Sequence, residues 1–126
     1  MLLDSCFLID LMNSDEGAVA KLEELTERAV PLAVTSLSVV EVGYGLRSKQ
    51  EQDDFDGILS RTEMVGFEPD DARRASRILR RTEEHGERVG KIDAMIGAIA
   101  AGRDEAVVTR NVEEFRRVGE VRVSPY

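Results

Sequence analysis

Short apolar runs alternate with stretches of helical periodicity along nearly the whole chain, and that alternation limits the folds open to it. Ala106-Val107-Val108-Thr109 is the clearest strand signal; Leu2-Leu3, the run from Pro31 to Val34, Met64 to Phe67 and Val121 to Val123 are weaker ones. The segments between them read as helices. Phe7, Leu8, Leu11 and Met12 recur at three- and four-residue spacing. Ser14 is placed to cap a helix with Ala18, Val19, Leu22 and Leu25 on one side, and Ser36 or Ser38 to open another. A surface helix is expected from Asp53 to Glu63, with Phe55, Ile58 and Leu59 inward and Asp53, Asp54 and Asp56 at its solvated start. Pro69 suits the first turn of a helix running to about His85, with Gly86 as its stop. A small-residue helix follows from Ile92 to about Ala101, with Gly102 expected to end it. Strands separated by helices need crossover connections and therefore build a mainly parallel sheet of an α/β fold.

A length of 126 residues suits one domain with a substantial core, spanning 1–126 without a linker or repeat. Apolar residues at 42% and charged residues at 33% fit a globular chain and exclude a disordered one. No run is long or apolar enough to span a bilayer, and Met1 opens no signal-peptide pattern, so a cytoplasmic location is expected. A single cysteine, Cys6, rules out an internal disulfide, and with one histidine, His85, it rules out a structural zinc site of four such ligands. The net charge of −8 argues against bulk electrostatic attachment to nucleic acid. It leaves room for a nuclease, whose metals and local arginines meet the phosphates. Fourteen Arg against three Lys, with 25 acids, matches high-salt proteins and GC-rich genomes alike.

Three acids stand out by their surroundings. Asp4 ends the first apolar run, Glu41 lies in Ser38-Val39-Val40-Glu41-Val42-Gly43-Tyr44-Gly45, and Asp93 lies in Gly90-Lys91-Ile92-Asp93-Ala94-Met95-Ile96. Each has apolar or small neighbours, where an unpaired charge is costly. Brought together, they repel and call for a hard divalent cation. In parallel sheets such sites form beyond the carboxyl ends of strands, where Asp4 and Asn111 both fall. Taken singly, Asp4, Asp93 and Asn111 also serve as helix caps, while Glu41 is expected on the inner face of a small-residue helix. Asp10 is expected to be solvated, Cys6 a small core residue and His85 a C-terminal cap.

The segments Leu3-Asp4-Ser5-Cys6-Phe7-Leu8-Ile9-Asp10-Leu11, Ser38 to Gly45, Ile92-Asp93-Ala94-Met95-Ile96-Gly97-Ala98-Ile99-Ala100 and Val108-Thr109-Arg110-Asn111-Val112-Glu113-Glu114-Phe115 resemble, in order, the motifs of PIN-domain ribonucleases, most closely the VapC toxins of toxin–antitoxin pairs. The resemblance implies a three-layer α/β/α domain and a Mg²⁺- or Mn²⁺-dependent endoribonuclease. It also implies a homodimer silenced by a VapB-like antitoxin. Asp4, Glu41 and Asp93 match the family's acidic positions. Asn111 matches the fourth, where many members carry Asp, and Cys6 stands where Asn or Ser is usual. Phosphodiester hydrolysis needs an activated water and a neutralised phosphorane, which one or two divalent ions supply. Asp4 and Asp93 are the expected direct ligands. Glu41 is a third ligand or orients the water, and Asn111 and Thr109 position a water or a phosphate.

Arginines offer substrate contacts. Arg73, Arg74, Arg77, Arg80 and Arg81 share one arc of a helix, either as a solvated face paired with Glu or as a phosphate-tracking stripe for RNA. Arg73 and Arg77 are carried forward with Arg110 as substrate candidates. A phosphoacceptor receiver domain also clusters acids at strand ends, but it needs an acidic pair after the first strand and a late lysine; this chain has Asp4-Ser5 and Arg110-Asn111. A catalytically weak PIN fold that binds RNA or a protein partner is the other alternative.

Overall fold

The computed structural model describes residues 1–126 and contains five short strands and seven helices. The strands are β1 (Leu2–Leu3), β2 (Ala33–Thr35), β3 (Glu63–Val65), β4 (Val107–Val108) and β5 (Val123–Ser124). They form one all-parallel sheet in the order β3-β2-β1-β4-β5. Leu2 pairs with Ala33 on one side and Val107 on the other, so the first strand of the chain is the centre of the sheet. Connections leave β1 toward β2 on one side and return to β4 on the other. This topological switch opens a crevice at the carboxyl ends of the strands.

The three central strands carry apolar residues on both faces because helices cover both. Leu3, Val34 and Val108 face a core built with Phe7, Leu8, Leu25 and Phe55. Leu2, Ala33 and Val107 face the opposite core, built with Ile96, Ile99, Ala100 and Phe115. The first face is covered by α1 (Ser5–Met12), α2 (Glu16–Glu27), α3 (Ser36–Gly45) and α4 (Lys49–Leu59). The second is covered by α6 (Lys91–Arg103) and α7 (Val112–Val118). The long α5 (Pro69–Glu84) packs its Ala75 and Ile78 against α6 and α7 rather than on the sheet.

Several helix ends differ from the sequence reading, for local reasons. The cap of α2 is Asp15, whose carboxylate accepts from Ala18 N, while Ser14 takes a left-handed φ of 58° in the preceding turn. Thr35 caps α3 by accepting from Ser38 N, one residue before Ser36 and three before Ser38, the serines expected to do so. Helix α4 starts four residues earlier than Asp53, with Ser48 accepting from Glu51 N, and ends at Leu59 so that Glu63 opens β3. The three aspartates therefore lie within α4 and accept from Lys49, Gln50 and Gln52 one turn before them. Gly102 lies inside α6 instead of ending it. A Cβ there would sit 2.6 Å from Arg74 Nη1, and the left-handed cap is Asp104, at φ 53°. His85 does cap α5, and Gly86 follows at φ 67°.

Candidate functional site

Asp4 follows β1 directly and caps α1, its Oδ1 accepting from Ser5 N at 2.9 Å. Its Oδ2 accepts from Thr109 Oγ at 2.7 Å and from Cys6 Sγ at 3.3 Å. Thr109 is fully buried at the end of β4 and also accepts from Asn111 N at 3.0 Å, so one hydroxyl ties the two central strand ends together. Ser5 Oγ donates to Glu41 Oε1 at 2.6 Å, which fixes the α3 carboxylate over the start of α1. Glu41 itself is exposed, not turned to the inner face of α3; the helix aims it at the rim.

Asp93 lies in the first turn of α6, three residues after the Gly90 cap. Its carboxyl is pushed up to about 6, first by burial and then by the negative charges of Asp4, Glu114 and Glu41. Asp4, Glu114 and Glu41 are thus the acids near enough to act on the charge of Asp93. Glu114 of α7 was not singled out from the sequence. Its Oε1 accepts from Gly90 N at 2.6 Å, and both Asp93 Oδ2 and Glu114 Oε1 lie within 3.7 Å of where a Cβ on Gly90 would stand. The sequence signal for it was present as an acid three residues after Asn111, but on a solvent-rich helix start such acids are common. Asn111 stands at the N-cap of α7 without a side-chain cap bond and lines a polar cavity of about 510 Å³ with Asp93, Arg110, Glu114 and Arg117.

No ion pair is made by Asp4, Glu41 or Asp93, although the protein has fourteen such pairs; of the four carboxylates only Glu114 has one, with Arg117 at 3.7 Å. Clustered acids with almost no protein cation fit a divalent ion. No three acidic, His or Cys side chains converge closely enough to enclose an ion by themselves. A hard cation that keeps several waters tolerates such spacing.

Two residues behave differently from their sequence reading. Cys6 is not buried in the apolar core; its sulfur sits between Asp4, Thr109 at 3.4 Å and the Arg110 N–H at 3.4 Å. Asp10 is not solvated. It is 8% exposed, accepts from Tyr126 Oη at 2.6 Å and pairs with Arg110 Nη1 at 2.8 Å. The chain end folding back onto α1 creates that environment, and no local pattern announces it. Arg73 and Arg77 are exposed on α5 and make no contact with the acids. Arg73 pairs with Asp70 at 3.0 Å, while the neighbouring Arg74 bonds the Ala98 carbonyl, more than a helical turn along α6 from Asp93.

The sequence profile described as "PIN domain" matches residues 1–121. Ribonuclease VapC2 of Rickettsia felis is 25% identical over 121 residues, covering 93% of this chain and 90% of the relative. The tRNA(fMet)-specific endonuclease VapC of Shigella flexneri is 27% identical over 99 residues, 75% of each chain. Among solved structures, VapBC2 from Rickettsia felis bound to a promoter DNA fragment aligns with a TM-score of 0.88 at 23% identity, over 99% of this chain and 97% of that one. DNA-bound VapBC from Salmonella typhimurium aligns with a TM-score of 0.84 at 26% identity, over 98% and 96%. With its family profile, its parallel sheet and its acids at the strand ends in agreement, this chain belongs to the PIN-domain family.

Proposed function

We propose that this protein is a divalent-metal-dependent endoribonuclease and the toxin of a toxin–antitoxin pair. The observation that carries the chemistry is the group of carboxylates at the switch point of the sheet, held by hydroxyl donors and almost without protein cations. The names of the ribonuclease and endonuclease relatives support RNA as the substrate, and tRNA is the first class to test. The VapBC complexes among similar structures support a VapB-like antitoxin as partner. A homodimer is the expected assembly. No helix is long and apolar enough to cross a membrane.

In this reading Asp4, Asp93 and Glu41 hold the cation, with Glu114 at its edge; Mg²⁺ is the ion proposed and Mn²⁺ its substitute. When bound, the ion neutralises charge on the phosphate and makes water a better nucleophile. The protein's part is positional. Thr109 donates to Asp4, leaving the carboxylate a fixed orientation, and Ser5 does the same for Glu41. Asn111 offers its amide to a water or a phosphate oxygen. Arg77, exposed and without an ion-pair partner, is the better of the two α5 candidates for following the RNA backbone; Arg73 must first leave Asp70.

Cleavage of total RNA with and without Mg²⁺ tests the reading. Wild-type cutting that needs the ion, lost in well-folded Asp4→Asn and Asp93→Asn, is the expected result. Retention of RNA with no cutting would instead favour a PIN fold that only binds, a reading for which the neutral Asn111 is the motive.

A further inference from the structure

Arg110 leaves the end of β4 between Thr109, which orients Asp4, and Asn111, which lines the same cavity as Asp93. Its backbone N–H is held by Cys6 Sγ and its Nη1 by Asp10 Oδ2, yet its side chain remains 60% exposed. A guanidinium has five N–H donors, so one anchored nitrogen leaves the rest of the fork free. The anchor is unusually well built for a surface arginine. Asp10 is almost buried, and the same oxygen that meets Arg110 accepts from Tyr126 Oη. The Tyr126 ring packs edge-on against Phe7 with centroids 4.9 Å apart. Burial and the neighbouring Asp10 carboxylate push the Tyr126 phenol well above its usual range, so it stays a neutral donor. Tyr126, Asp10 and Arg110 thus form a chain of fixed groups running from the core of the first layer to the wall of the polar cavity.

We propose that Arg110 is the phosphate clamp of the cleavage site, and that Asp10 and Tyr126 are positioning residues which aim it. The ligand chemistry is a phosphodiester of the RNA backbone, seated in the cavity shared by Arg110, Asn111 and Asp93. A fork held on one nitrogen presents the others with little loss of side-chain freedom, which is how a single arginine can contribute substantially in a site of net negative charge. The inference rests on the nuclease reading of that site.

The competing reading is a purely structural ion pair. Charge separates the two. Asp10→Asn removes a negative charge from the edge of an RNA site, so electrostatics alone would tighten binding. Loss of aim would weaken it. The experiment is Mg²⁺-dependent cleavage of labelled unfractionated tRNA at varied protein concentration, giving a half-saturating concentration and a plateau rate, with thermal melting of each variant alongside. Arg110→Ala is expected to raise the half-saturating concentration by about tenfold to a hundredfold, the usual range for a lost charge-assisted bond. Arg110→Lys should recover only part of it. Asp10→Asn and the charge-neutral Tyr126→Phe should raise it by smaller factors, and Asp10→Asn should add little to Arg110→Ala. Unchanged or tighter half-saturation in Arg110→Ala and Asp10→Asn, with wild-type cutting intact, overturns the clamp and leaves the nuclease reading standing. A wild-type protein that neither retains nor cuts RNA overturns both. Should Asp10→Asn melt too early to assay, Tyr126→Phe and Arg110→Ala carry the same decision.

Discussion

Replacing Asp93 by asparagine should move stability and activity in opposite directions. The folded protein raises this carboxyl from 3.8 to about 6, chiefly by burying it, then by facing it with Asp4, Glu114 and Glu41. A group that binds its proton more tightly when folded stabilises the fold as the pH drops and weakens it as the pH rises. Without metal, the protein should therefore gain stability as pH falls from about 7 toward about 5, and melting in a chelator across that window checks it. Asp93→Asn should flatten the dependence and stabilise the metal-free protein at neutral pH by about 1 kcal/mol, after allowance for solvent screening at a half-buried site. Cleavage should be lost. Asn111→Asp is expected to lower the Mg²⁺ or Mn²⁺ concentration that supports cleavage, since it adds a charged donor to the cavity of Asp93; its stability should barely change, because Asp and Asn cap helices equally well. An unchanged metal titration would remove Asn111 from the site. Asp4, Glu41 and Asp93 were legible as candidates because acids among apolar neighbours conflict with their local setting. Asp10, Cys6 and Glu114 were not, since each acquires its role from a residue far away in sequence: Tyr126 and Arg110 for Asp10, Thr109 and Arg110 for Cys6, Gly90 for Glu114.

The small-residue helix α6 illustrates what an element contributes. It touches the sheet with Ile96, Ile99 and Ala100 and touches α5 and α7 with Ala94 and Ala98. Gly97 permits the approach of α7: a Cβ at that position would fall 2.6 Å from Val118 Cγ1. Gly97→Ala should accordingly destabilise the protein by about 1–3 kcal/mol despite the better helix propensity of alanine. Val118→Ala should recover part of the loss, and a double-mutant cycle in urea measures the coupling. Helices with an apolar stripe or a proline start, such as α1 and α5, were readable from periodicity. The first turn of α4, Lys49-Gln50-Glu51-Gln52, carries no apolar residue at all, which hid it. The strands were readable only roughly. At two or three residues each, with the three central ones buried on both faces, they show no alternation to anchor a register.

At the scale of the whole molecule, the parallel sheet followed from the alternation of strands and helices, but its order did not. Nothing local says that β4 returns to the far side of β1. That return is what joins Asp4 to Thr109 and creates the acidic crevice. Millimolar Mg²⁺ or Mn²⁺ should raise the melting temperature, because a cation bound only by the folded state stabilises it and relieves repulsion among the carboxylates. An unchanged melting curve would count against a preformed site. The same return has a consequence for the timing of activity. The bond from Thr109 to Asp4 spans 105 residues, and the strand that supplies Thr109 is the fourth of five to leave the ribosome. A contact across so long a stretch forms only once both of its ends have been made. A chain ended after Arg103 thus lacks the hydroxyl that orients its first acid, and such a truncation should show no Mg²⁺-dependent RNA cleavage under conditions where the full chain cuts. In such a topology, activity waits for the residues from Thr109 onward.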